Sequence, residues 1–174
     1  MYESVRAGRR ARPKAGLLAA VLACAAVLAA GTSLIVYSCW YQLRFRQFLS
    51  DLSNSTVYAY RNDGLQLTVE GRTVRVEGDP VYAAFQAVAD NEMGRMTRPP
   101  EREPDAVMTY GDGASLELWD VMLEGYETAL PGGRQTGEVR GVALRYTDPE
   151  GGTYCYDTDQ IDFDYLIRKM TWSR

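Results

Sequence analysis

Four aspartates, Asp157, Asp159, Asp162 and Asp164, crowd together near the C-terminus, with Asp148 and Glu150 shortly before them. Clustered carboxylates are the ligand set of a calcium site. The spacing departs from an EF-hand, because no glycine stands at the sixth position and no acid closes the loop. Aspartates near a helix start are also what an N-cap and the helix dipole require. Capping is therefore the expected role, with Asp157, Asp159 and Asp162 carried as metal candidates. No cofactor is indicated. The glycine pairs lack the Gly-Lys-Ser or Gly-Lys-Thr of a phosphate loop.

Nucleophilic chemistry has little to work with. Histidine is absent, which removes the commonest general base and transition-metal ligand and makes a His-containing triad within this chain impossible. Cys155 lies between Tyr154 and Tyr156, so on a strand it points to the opposite sheet face. A lone cysteine is most often a small buried apolar group. Cys24 and Cys39 fall in or beside an apolar stretch, and no CxxC exists. Tyr146, Tyr154, Tyr156 and Tyr165 are the aromatic candidates for stacking on a ligand, though tyrosine also fills half-buried strands. Arg95, Arg98 and Arg102 interleave with Glu101, Glu103 and Asp105 around Pro99, Pro100 and Pro104, a pattern that reads as a solvated loop. The chemistry points to a non-enzymatic protein.

The elements that must position these residues begin with a membrane segment. The net charge of −4 conceals an asymmetry: Arg6, Arg9, Arg10, Arg12 and Lys14 crowd the N-terminus, leaving the remainder acidic. An acidic domain repels phosphate backbones, so nucleic acid is not an expected partner. Residues 15–40 carry no charge. As a helix they reach about 39 Å, more than the ~30 Å hydrocarbon core. Their leucines, valines and isoleucine favour insertion by roughly 3–5 kcal/mol in sum. Tyr37, Trp40 and Tyr41 stand where an interfacial aromatic belt lies. The arginine-rich end places the N-terminus in the cytoplasm and the rest outside. Lipid contact is thus expected through residues 15–40. Cleavage after Ala29-Ala30-Gly31 is the rival reading, and it yields a secreted domain.

Beyond the membrane, Phe45, Phe48, Leu49 and Leu52 follow helical spacing, with Arg44, Arg46, Gln47 and Asp51 on other faces. This amphipathic extension is expected over 41–53, ending at Ser53-Asn54-Ser55. Its stripe is the candidate surface for a partner, another envelope protein, with packing on the chain's own domain as the simpler account. Residues 57–60 and 65–69 read as strands about a hairpin turn at Asn62-Asp63-Gly64. Asp79-Pro80 opens a helix whose stripe is Val81, Ala84, Phe85 and Val88. Strands are expected at 106–110, 115–123, 139–147 and 153–156, with a glycine-containing loop at 130–137. A last helix is expected from Asp157 or Asp159, with Phe163, Leu166, Ile167 and Met170 facing inward.

The expected organisation is a basic cytoplasmic tail (1–14), a transmembrane helix (15–40), an amphipathic juxtamembrane helix (41–53) and an extracytoplasmic domain (54–174). The domain class is α+β, an antiparallel sheet with two packed helices. The expected location is the cell membrane, single-pass. This succession resembles the plan of pilins and pseudopilins, in which an apolar helix runs on into a small sheet domain. The resemblance implies an assembly subunit. It departs from that family at the processing site: Gly16 is followed by Leu17-Leu18-Ala19-Ala20-Val21, without the glutamate five positions into the apolar run. The leading expectation is a membrane-tethered domain that binds a partner. A ligand- or calcium-binding sensor domain is the alternative.

Overall fold

The structure is a computed structural model that describes residues 14–96, 98–130 and 133–171, with side chains outside 14–18 and 124–136. Of the basic tail, residues 1–13 lie outside the described residues. Two compact units meet in sequence at Arg44 and Phe45.

The first helix, α1 (Lys14–Arg61), carries the apolar run. Val21, Leu22, Val27, Leu28, Leu34, Ile35 and Val36 are all exposed. By length and composition this is the single helix among the described residues that can cross a membrane. Thr32 and Ser33 hydroxyls donate back to the carbonyls of Leu28 and Ala29, which satisfies these two groups within the helix. Arg44 sits over the Trp40 ring.

The domain, Phe45–Arg174, is α+β. After the last turns of α1 come strands β1 (Leu65–Val69) and β2 (Arg72–Val76), a 3₁₀ turn (Asp79–Tyr82), helix α2 (Ala83–Ala89) and the short strand β3 (Gly94–Arg95). Strands β4 (Ala106–Tyr110), β5 (Ser115–Leu130), β6 (Gly133–Thr147) and β7 (Thr153–Thr158) follow, then helix α3 (Phe163–Thr171). All strand pairs are antiparallel, in the spatial order β2-β1-β4-β5-β6-β7-β3.

Register gathers a continuous set of apolar residues on one face of the sheet. Leu67, Met108, Leu116, Tyr146 and Tyr154 stand side by side across five strands, as do Ala106, Leu118, Leu144 and Tyr156 across four. Most of these residues are almost fully buried. Phe48, Leu52, Ser55, Thr56 and Ala59 of α1, Val81, Ala84 and Val88 about α2, and Leu166 and Met170 of α3 complete the core.

Several elements differ from their sequence expectation. Helix α1 continues through 57–60, where a strand was expected, so the boundary read at 53/54 falls inside the helix. Ser55, expected to end the helix with Ser53 and Asn54, is instead buried in the core, as is Thr56. Val57, Tyr58 and Tyr60 take the outer side. Asn62-Asp63-Gly64 closes the helix rather than a hairpin. The Gly64 N–H donates to Ala59 O at 2.7 Å, with positive φ at Asp63 and Gly64. The same residue types serve both uses because each needs left-handed backbone. At the next helix, Asp79 lies within the 3₁₀ turn and makes no capping hydrogen bond. The 130–137 loop is mostly strand, since β5 and β6 pair out to Leu130↔Gly133.

Candidate functional site

The stripe read as a partner surface is core. Phe48 and Leu52 are fully buried, and Phe45 and Leu49 are half-buried. Phe48 stacks on Tyr156 with ring centroids 4.9 Å apart and also meets Tyr146 and Tyr154. Phe45 meets the edge of Tyr156 at 5.3 Å. Tyr146, Tyr154 and Tyr156 are thus occupied by the protein's own helix, whereas Tyr165, on α3, is exposed. Hydroxyls fix the seam: Tyr154 donates to Asp51 at 3.0 Å, and Ser55 donates to Asp112 at 2.6 Å and bonds Tyr146 at 2.9 Å. Burial pushes the Tyr146 phenol up to about 12. Among the described residues the buried Tyr110 hydroxyl has no partner in hydrogen-bond geometry, although Thr56 lies beside it, and burial drives its acidity well below that of ordinary tyrosine.

The metal candidates are dispersed among different structural roles. Asp157 belongs to β7, opposite Ala143 and Gly94, and not to a helix start. A Cβ on Gly94 would collide with its carboxylate, so that glycine lets the side chain lie on the edge strand. Burial raises the Asp157 pKa above the usual aspartate value. Asp159 lies in the bend after β7. Asp162 caps α3, accepting the Tyr165 N–H at 2.8 Å. Helix α3 starts later than expected because β7 holds its ladder through Thr158. Among the described residues, no three histidine, cysteine or acidic side chains gather as a metal site.

The structure assembles a different constellation, in a cleft of about 660 Å³. Its walls come from the β1–β2 turn, the proline-rich loop, β5 and the start of α3, with Glu70, Arg102, Glu103, Asp105, Asp120 and Asp164 as charged lining. Arg102 pairs with Asp105 at 2.7 Å and donates to the Asp120 carbonyl at 2.6 Å. The Asp105 carboxylate accepts the Asp120 N–H at 2.8 Å. Hydrogen bonding to Arg102 holds the Asp105 carboxyl below the usual carboxylate range. Arg140 bridges the Asp120 and Asp164 carboxylates at 2.6 and 3.0 Å. The proline-rich segment is therefore docked on β5 at this point, where the sequence suggested only a solvated loop. Its anchor is Trp119, buried on the second sheet face, whose indole N–H donates to Arg102 O at 2.9 Å.

Asp120 carries a signal that sequence reading missed. In the order Leu116, Leu118, Asp120, Met122 it is a carboxylate on the apolar side of a strand. Such a position needs a charged partner, and Arg140 on the neighbouring strand supplies it. On the second face, Glu117, Arg145 and Cys155 stand in one row across β5, β6 and β7, with Arg145 donating to Glu117 at 2.6 Å. That row is half-buried.

Chemically, the cleft offers the Arg102–Asp105 pair and the Asp120 and Asp164 carboxylates held by Arg140, beside Glu70 and Glu103. No family model matches the chain, and neither a curated protein nor a solved structure matches it.

Proposed function

We propose that this is a non-enzymatic interaction domain held permanently at the membrane by α1, with its N-terminus in the cytoplasm and its sheet domain outside. One observation carries the reading. The helix that bears the exposed apolar run also supplies Phe48, Leu52, Ser55, Thr56 and Ala59 to the domain core. A domain whose core includes the end of its own anchor helix is suited to act where it is anchored. The arginine-rich N-terminus supports the orientation through the positive-inside rule. The absence of histidine from the chain and the ion pairs that hold Asp105, Asp120 and Asp164 in the cleft support binding over catalysis.

Topology is tested by C-terminal reporter fusions. An alkaline phosphatase fusion is expected to be active and a cytoplasm-dependent fluorescent fusion dark. The opposite pair of results overturns the orientation.

A pseudopilin-like assembly subunit is the second reading, favoured by the packing of the α1 C-terminal turns on an antiparallel sheet. It requires processing at Gly16, so a mature chain beginning at Leu17 selects it over the permanent anchor.

A further inference from the structure

We propose that the outer edge of β5 beyond Leu118 accepts a second copy of this chain by antiparallel strand addition, with the Arg102–Asp105 pair holding the first position of that edge closed.

Strand β4 pairs with β5 only as far as Ala106↔Leu118, and the Asp105 N–H makes the next bond, to Leu118 O at 2.9 Å. At Asp120 side chains replace the strand. The Asp105 carboxylate takes the N–H and the Arg102 guanidinium takes the carbonyl. These are the two bonds a neighbouring strand would make, supplied by an ion pair. Edge-facing peptide groups recur every second residue, so Met122 presents the next pair on the same side. Among the described residues no strand pairs with β5 there, while β5 and β6 continue together to Leu130↔Gly133. Residues 122–130 thus run on as one rail of a two-stranded ribbon. A register shift between Leu123 and Tyr126 interrupts its ladder. Two-stranded ribbons are marginal in water, and open edges invite a further strand.

A second copy fits that edge for a chemical reason. An antiparallel pair of identical edges matches each N–H to a carbonyl about a two-fold axis, so the edge is self-complementary. The exposed Met122 side chain, 57% accessible, adds apolar contact at the start of the seam. The inference rests on the anchored reading above, since confinement to one membrane layer brings copies together.

The test uses full-length chains carrying two different tags, co-expressed and extracted in mild detergent. Wild-type copies are expected to co-purify. Met122→Pro removes an edge N–H without touching the β5–β6 ladder, and should weaken association about tenfold. Arg102→Ala combined with Asp105→Ala frees the Asp120 groups and should strengthen it. Thermal melting of each variant reports whether the fold is kept. Copies that fail to co-purify overturn the inference, as does association unchanged by either variant, which would assign it to another surface. Carbonate washing of the same membranes separates the two claims: chains that wash off defeat the anchor, and the variant comparison still judges the edge.

Discussion

At the residue scale, burial decides what the acidic and aromatic candidates do. Phe48 was legible as part of a helical stripe, yet the stripe pattern is identical whether a partner or the chain's own sheet covers it. Only the placement of Tyr146, Tyr154 and Tyr156 on the same face resolves that. Phe48→Ala should accordingly destabilise the domain by about 3–5 kcal/mol, read as a lower unfolding midpoint in denaturant. Asp157 was legible as a carboxylate among carboxylates, and its placement on a strand was not. Because burial raises its folded pKa, the folded state holds the proton more tightly than the unfolded chain does. The domain is penalised once pH rises above the unfolded value. Asp157→Asn should therefore raise the melting temperature at neutral pH, with the advantage fading as pH falls below the ordinary aspartate range. An advantage that is the same at every pH would assign the effect to packing alone.

At the element scale, sheet and helices were legible from periodicity, and ends were not. Alternation located β1, β4 and β7 because each buries a single face. It stopped short along β5 and β6, whose ladder runs on to Leu130↔Gly133. The end of α1 was misplaced because serine and threonine favour helix stops when exposed, and here they serve as buried hydrogen-bonding groups. Two consequences follow for experiment. A fragment starting at residue 54 lacks Phe48 and Leu52, so it should show no cooperative calorimetric transition, whereas one starting at residue 45 should. Gly64 adopts φ +85°, and a Cβ there would run into the Val76 carbonyl. Gly64→Ala should cost about 1–3 kcal/mol, measured by chemical denaturation.

At the scale of the whole molecule, the charged cleft was the least legible feature. The adjacent Arg102 and Asp105 meet Asp120, Arg140 and Asp164, which lie well apart along the chain, only through sheet register and loop docking. The Arg102–Asp105 clasp predicts a pH response. Its carboxyl has a depressed folded pKa, so the stability it contributes is present above the ordinary aspartate range and is lost as pH falls through the folded value. Amide exchange at Asp120 should therefore quicken, relative to neighbouring β5 amides and after correction for intrinsic exchange, only once pH falls below the ordinary aspartate range. No change relative to those neighbours would remove the clasp as the edge's cap.

The apolar run, by contrast, is legible directly, because an uncharged helix of that length has few other stable surroundings. Permanent anchoring through α1 is the central claim, and intact mass of the membrane-extracted protein with a C-terminal tag tests it most directly. A full-length mass is the predicted result. A mass beginning near Thr32 would contradict the account, leaving a released domain that retains the core-forming end of α1 without its anchor.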